Sequence, residues 1–178
     1  GYVGAAAYPK FVGGLSFSGD WKGIDLSFLF QAGLGRDVAL TGVYSGGIMD
    51  NTQMTKPFYH GGNSPKYLVE NSWREDNTNA EFPRLSIVQA SSNNAYSSTF
   101  WYRSGDYLRL KNLQIGYTFP QKWMSRIGID RLRIYFEGQN LWTVSELTKF
   151  NIDPEQPGVS NGYYPQQRIF SFGVNLAF

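Results

Sequence analysis

Strict alternation of bulky apolar residues with small or polar ones is the feature that most constrains how this chain can fold. It is clearest in the final stretch, RIFSFGVNLAF. One parity of that stretch holds large apolar side chains, which are Phe170, Phe172, Val174, Leu176 and Phe178. The other parity holds Ser171, Gly173, Asn175 and Ala177. Because successive side chains point to opposite faces of a strand, this pattern predicts a β-strand with one apolar face.

Four further segments alternate in the same way and are predicted strands. They are residues 11–20, residues 24–34, the stretch YLRLKNLQIGYTF and residues 131–143. With the final stretch they give five strands, so the sequence predicts an all-β fold.

Three details of the connections follow from single residues. Gly23, in the stretch DWKG, supplies the positive φ of a short hairpin turn. Leu108 and Leu110 have the wrong parity for the apolar face of their strand, so either a β-bulge lies near Asn112 or that half-strand packs elsewhere. Pro120 is suited to the first turn of a short helix before the fourth strand.

Composition excludes several classes of protein. The net charge of +2 gives no electrostatic footprint for nucleic acid. No run approaches 18 apolar residues, so no transmembrane helix is expected. With no cysteine, disulfide scaffolds and thiolate sites are excluded. The opening GYVGAAAYPK is not a signal peptide, so either the protein is cytosolic or the chain has lost its beginning.

The connections leave two architectures open. Short and long connections alternate, as in transmembrane barrels, and about seventy residues separate the second strand from the third. A structureless loop of that length argues against a compact domain unless the loop is functional. Aromatic residues gather near the strand ends, as interfacial girdles do: Trp21, Phe119 and Trp123 at one end, and Phe100, Trp101, Tyr102 and Trp142 at the other. A soluble β-sandwich shares the alternation and is the competing interpretation.

An ordered set of motifs runs through nearly the whole chain. It comprises YPKFVGGLSFS, GIDLSFLF, SWREDN, YLRLKNLQIGYTFP, GQNLWT, DPE and YPQQRIFSFGVNLAF. In this order the motifs resemble the C-terminal part of SusC/RagA-family TonB-dependent transporters. The resemblance implies a transmembrane antiparallel β-barrel of 22 strands, of which this chain would supply the last five. Residues 1–178 would be the C-terminal portion of that barrel, with the plug domain and the TonB box absent from this chain.

The resemblance also implies a function, which is import across the bacterial outer membrane without any chemical reaction. A SusD-like surface lipoprotein would close over the barrel and trap an oligosaccharide or peptide, and TonB would pull on the plug. Further expected partners are the rest of the barrel, outer-membrane lipid and the barrel-assembly machinery, which would read Phe178 at a periplasmic C-terminus. The alternatives are a siderophore or cobalamin receptor without a SusD lid, and a soluble all-β glycan-binding module.

In a membrane barrel the two faces of each strand acquire different roles. The expected lipid-facing residues are Phe28, Phe30, Ile115, Phe136, Phe172 and Leu176. The expected lumen-facing residues are Arg133, Glu137 and Gln139. Aromatic residues of the long loops are candidates for contact with a ligand or with the lid: Tyr59, Tyr67, Trp73, Tyr96, Tyr163 and Tyr164.

Residue types that carry catalysis or bind metal are sparse. His60 is the only histidine and is interpreted as a solvated loop residue. Asp153 and Glu155, in DPEQPG, are interpreted as paired carboxylates, as calcium ligands or as exposed acids of a proline-set turn, and the turn is favoured. The run Arg74 to Asp76 is interpreted as a solvated loop face. No catalytic residue, cofactor or metal site is predicted.

Overall fold

The computed structural model describes residues 6–40, 66–85, 98–157 and 166–178. Its described strands are β1 (Phe11–Trp21), β2 (Ile24–Leu34), β3 (Asp37–Ala39), β4 (Tyr102–Ser104), β5 (Tyr107–Thr118), β6 (Arg131–Ser145) and β7 (Ile169–Ala177). Two short α-helices are α1 (Lys66–Glu70) and α2 (Gln121–Met124). The five long strands form one antiparallel sheet in the order β1-β2-β5-β6-β7, and β3 pairs with β4. All five strands predicted from alternation are confirmed.

The two tight connections of the sheet follow local sequence signals. Lys22 and Gly23 have φ angles of 49° and 88°, so both central residues of the β1–β2 turn are left-handed. This pair of angles is the one that matches the twist of a two-residue hairpin. After Pro120 the chain forms α2 and a 3-10 turn, and it leaves that turn through Gly128 with a φ of 76°. The predicted turn at Gly23 and the predicted helical turn after Pro120 are therefore confirmed.

A β-bulge in β5 corrects the parity of its first half. Leu110 lies opposite Phe30 of β2, whereas Asn112 lies opposite Leu29. Lys111 is thus an extra residue on β5, and an extra residue reverses the alternation that follows it. Leu108 and Leu110 consequently share a face with Leu113 and Ile115, which confirms the bulge and removes the alternative packing.

The chain divides into two compact units. The sheet unit comprises residues 9–34, 106–145 and 166–178, and the loop unit comprises residues 1–8, 35–105 and 146–165. The described part of the loop unit has its own hydrophobic core, made of Val38, Leu40, Leu68, Phe82, Trp101, Leu147, Phe150 and Ile152. The long connection after β2 is therefore not structureless, because its described segments bury a shared core with residues from the connection after β6.

The placement of Trp101 in an aromatic girdle was wrong. Trp101 is only 6% exposed, and its ring stacks on Phe82 with a centroid distance of 6.3 Å. An aromatic residue near a strand end has the same sequence signature whether it meets a membrane interface or fills a core.

In the part of the chain that the structure describes, no helix has the length and apolar character needed to cross a membrane.

Candidate functional site

One face of the five-stranded sheet is apolar on every strand. The register aligns Leu26, Ile115, Phe136 and Phe172 in a row across β2, β5, β6 and β7. The rings of Phe136 and Phe172 lie 5.2 Å apart, yet Phe172 remains 83% exposed. The register puts all six residues expected to face lipid on this apolar face: Phe28, Phe30, Ile115, Phe136, Phe172 and Leu176.

The opposite face is polar, and an ion pair crosses it. Arg133 on β6 donates from Nε and Nη2 to the two carboxylate oxygens of Asp25 on β2, at 2.9 and 2.5 Å. The intervening strand β5 contributes Gly116, where a Cβ atom would collide with both the carboxylate and the guanidinium. Glycine at this position is therefore what allows a paired guanidinium and carboxylate to lie flat across the middle strand.

A second glycine on the polar face makes room for an aromatic ring. Tyr135 lies between Gly116 and Gly173 in the register of β5, β6 and β7. A Cβ atom at Gly173 would overlap the Tyr135 ring, so the ring covers that glycine. The Arg133 guanidinium lies 4.8 Å from the centre of the same ring. Arg133 is thus held by a carboxylate and by an aromatic face together.

Other polar side chains of this face also form hydrogen bonds along the sheet. Gln139 donates to Glu137 at 3.2 Å, and Arg109 donates from Nε to the Thr143 hydroxyl at 2.9 Å. The register places all three residues expected to face the lumen, Arg133, Glu137 and Gln139, on this face. The ion pair of Asp25 with Arg133 and the packing of the Tyr135 ring over Gly173 were not predicted, because both depend on the register of neighbouring strands.

An ionic network is centred on Glu81 of the loop unit. Its carboxylate accepts hydrogen bonds from the Tyr67 hydroxyl at 2.7 Å, from Arg103 at 3.1 Å and from Lys149 at 3.2 Å. Arg103 and Lys149 also approach Glu146, at 3.7 and 3.8 Å. Because the donors come from α1, β4 and the 3-10 helix Glu146–Phe150, the network ties three separate segments together.

The network shifts two pKa values. Burial raises the pKa of Glu81, but hydrogen bonds from Tyr67, Lys149 and Arg103 outweigh it and hold that pKa below the ordinary value for glutamate. The hydrogen bond to the Glu81 carboxylate, with some burial, raises the pKa of Tyr67 above its ordinary value. The Glu81 carboxylate therefore stays charged as the pH falls below the ordinary pKa of glutamate. The Tyr67 phenol stays protonated as the pH rises above the ordinary pKa of tyrosine.

Of the loop aromatics expected to contact a ligand or a lid, Tyr67 and Trp73 are described. The Tyr67 ring packs edge-on against Phe82 and Phe150, and its hydroxyl is held by Glu81. Trp73 is 37% exposed. The other four aromatic residues, Tyr59, Tyr96, Tyr163 and Tyr164, lie outside the described residues. His60 also lies outside them.

Two acidic stretches form local turns. The Asp153 side chain accepts a hydrogen bond from the Glu155 backbone N–H at 2.9 Å, and its carbonyl accepts one from Gln156 at 3.1 Å. These hydrogen bonds form the turn predicted for DPEQPG, but Asp153 and Glu155 are half-buried, whereas exposed acids were predicted. Arg74 pairs with the exposed Asp76 at 3.1 Å. Within the described ranges no cluster of acidic or histidine side chains has the arrangement of a metal site.

A sheet that is apolar and exposed on one face and polar and hydrogen-bonded on the other defines a class of protein. This pattern is typical of the wall of an antiparallel membrane barrel, a class in which one face of every strand meets lipid and the other meets the interior.

Comparison with known proteins finds similarity to TonB-dependent receptors. The chain is 28% identical over 183 aligned residues to TonB-dependent receptor P3 of Formosa agariphila. It is 30% identical over 105 residues to TonB-dependent receptor SusC of Bacteroides thetaiotaomicron, an alignment that covers 57% of this chain. Its fold matches the RagAB peptide importer in the open-open state with a TM-score of 0.65, at 27% identity over 99% of this chain. No protein-family model matches. The resemblance to SusC/RagA-family TonB-dependent transporters is confirmed.

The chain spans only part of each relative. It covers 16% of the Formosa receptor, 10% of SusC and 18% of the matched importer chain. Its five-stranded sheet therefore corresponds to a part of a larger TonB-dependent barrel.

Proposed function

We propose that this chain is a section of the wall and outer loops of a TonB-dependent outer-membrane importer of oligosaccharides or peptides. The observation that carries the proposal is the apolar face that runs across all five strands. Side chains such as Phe172 and Val174 are 83% and 60% exposed on that face. In water such a continuous surface and two unpaired sheet edges would drive aggregation, whereas in a closed barrel lipid covers the face and neighbouring strands cover the edges.

In this function the chain binds and guides substrate rather than transforming it. Phe28, Phe30, Ile115, Phe136, Phe172 and Leu176 meet lipid, and the face that carries Arg133, Glu137 and Gln139 lines the barrel interior. The similarity to receptors and importers supports a role outside catalysis. We place residues 1–178 in the C-terminal portion of the barrel, with a periplasmic C-terminus, because the ordered motifs resemble that portion of the family.

The partners follow from the same resemblance. A plug domain and a TonB-binding segment belong to the other part of the receptor, and TonB supplies the force that opens the transport path. The similarity to SusC and to the RagAB importer supports a SusD-like surface lipoprotein as the second component. A siderophore or cobalamin receptor would lack that component, so the presence or absence of such a lipoprotein separates the two kinds of transporter.

The test begins with the native protein. Its denatured mass is measured in the outer-membrane fraction through peptides of this chain, and we expect several times the mass of 178 residues. Uptake of labelled oligosaccharides and peptides is then compared in cells with and without the receptor, and in cells that lack TonB. Uptake that disappears in both deletions supports import, and co-purification of a SusD-like lipoprotein supports the lid. A small species that is soluble without detergent would refute the proposal.

A further inference from the structure

Trp73 is held on a rigid frame of backbone hydrogen bonds. Its N–H donates to the Phe82 carbonyl at 2.9 Å, and the Phe82 N–H donates back to Asn71 at 2.9 Å. Arg74 and Asn77 then exchange backbone hydrogen bonds in a tight turn. Ser72 beside it is 2% exposed, and its hydroxyl donates to the Val69 carbonyl. An exposed aromatic side chain on such a frame loses little freedom on binding a ligand.

Two hollows adjoin Trp73, and Trp73 and Arg84 line both of them. The larger has a volume of about 420 Å³ and is also walled by Phe82, Pro83 and Phe100. The smaller has a volume of about 340 Å³. Both volumes fall within the range of about 300–1,000 Å³ that is usual for sites of small ligands. Together the two give room for two adjacent groups of one ligand, on either side of a tryptophan and an arginine.

The chemistry of the larger hollow favours an apolar group. Its walls are mostly aromatic and aliphatic, and the one carboxylate on its edge, that of Glu81, is already held by three donors. A sugar ring buried there would carry several hydroxyls with few partners, and each unpaired hydroxyl would cost binding energy. An aromatic or aliphatic side chain would find matching contacts.

Arg84 adds a site for an anion beside the apolar hollow. Its side chain is exposed. Among the described residues no ion pair joins its guanidinium to a carboxylate, not even to Glu75, which lines the same smaller hollow. A guanidinium binds a carboxylate through two parallel hydrogen bonds. Arg84 therefore suits a carboxylate that stands next to an apolar side chain.

We propose that the hollows beside Trp73 bind two neighbouring residues of a peptide. An aromatic or aliphatic side chain enters the hollow between Trp73 and Phe100, and the adjacent acidic side chain or terminal carboxylate pairs with Arg84. The inference rests on the proposed import function. Of the two classes of substrate proposed there, oligosaccharides and peptides, it selects peptides that contain an apolar residue next to an acidic one.

The test measures binding to the intact purified receptor by calorimetry. The probes are the blocked tetrapeptides Ala-Phe-Asp-Ala, Ala-Phe-Asn-Ala and Ala-Ala-Asp-Ala, together with maltohexaose. Trp73→Ala should weaken Ala-Phe-Asp-Ala about tenfold or more. Arg84→Gln should weaken the same peptide about tenfold and leave Ala-Phe-Asn-Ala unchanged. The matched controls Trp123→Ala and Arg126→Gln change exposed side chains of the sheet unit and should leave all four affinities unchanged.

The outcomes separate the site from the transport function. Equal peptide affinities in wild type, Trp73→Ala and Arg84→Gln would overturn the site. Loss of maltohexaose binding in Trp73→Ala with unchanged peptide binding would overturn it too, in favour of a carbohydrate. TonB-dependent peptide uptake is measured in the same strains. If wild type takes up peptides and the variants bind them normally, the site inference alone fails; if no labelled nutrient requires the receptor, the proposed function fails.

Discussion

A positive charge at Phe172 tests whether the apolar face meets lipid. Phe172 lies near the middle of β7, opposite Phe136, and is 83% exposed. The change Phe172→Lys puts an ammonium group on this face. The matched change Ser171→Lys places the same group one residue away on the polar face, opposite Glu137.

The expected cost at Phe172 has two parts. A lysine at the lipid face near the bilayer midplane costs about 2–4 kcal/mol. Loss of the ring contact with Phe136 at 5.2 Å removes about 0.5–1.5 kcal/mol more. The free energy of unfolding should therefore fall by about 3–5 kcal/mol. Ser171→Lys should change it by less than about 0.5 kcal/mol, because a polar face tolerates the charge and Glu137 lies opposite.

The assay uses the intact receptor refolded into phospholipid vesicles. Urea titrations are followed by the difference in electrophoretic migration between heated and unheated samples, and outer-membrane abundance is measured in cells as a second readout. Equal losses for the two variants would refute the orientation of the sheet. A larger loss for Ser171→Lys would mean that the polar face is the one in lipid.

Three further predictions concern the polar face and the loop unit. Gly116→Ala should lower the free energy of unfolding by about 1–3 kcal/mol, because the new Cβ would overlap the Asp25–Arg133 ion pair. The control is Gly14→Ala, whose Cβ would make only ordinary contacts. It should leave the free energy of unfolding unchanged in the same urea titration. A double-mutant cycle with Asp25→Asn and Arg133→Gln should give a coupling energy of about 1–3 kcal/mol, and additive losses would contradict the pairing. The lowered pKa of Glu81 stabilises the loop unit at pH values above the pKa of an unfolded glutamate, and this stability should disappear as the pH falls through the folded pKa. The protection factors of residues 66–85, in which the intrinsic pH dependence of amide exchange is divided out, should therefore fall on acidification in wild type and depend much less on pH in Glu81→Gln.

The strands of the sheet could be predicted because each one carries its own evidence. Alternation is a local property, and one residue of slip would turn a whole apolar set to the wrong face. The bulge in β5 was one of two alternatives that the sequence left open, since Leu108 and Leu110 broke the parity of Leu113, and only the register decided between them. The ion pair was not visible, because Asp25 and Arg133 are separated by 108 positions and meet only when β5 sets the register between them.

The loop unit could not be predicted from local pattern. Its core joins residues such as Leu40, Leu68, Trp101 and Leu147, which come from four separate segments. Among the described residues of these segments, no strand or helix is long enough to show a period, so only the burial itself reveals the core. For the same reason Trp101 was assigned to a membrane interface, and Arg84 was not considered as a binding residue.

The two units are stabilised by different means, and this difference has a consequence for how the protein evolves new specificity. The sheet relies on cross-strand pairs fixed by register, such as Ile115 with Phe136 on the apolar face and Gln114 with Glu137 on the polar face, so a change on either face meets residues of the neighbouring strands. The loop unit has its own buried core and its own ionic network, so residues at its surface can change while the core holds the frame. Trp73 and Arg84 are at such positions, exposed on a frame that Phe82 and Ser72 anchor in the interior. In the proposed importer, substitutions at the hollows would therefore alter substrate preference while the barrel wall stays the same.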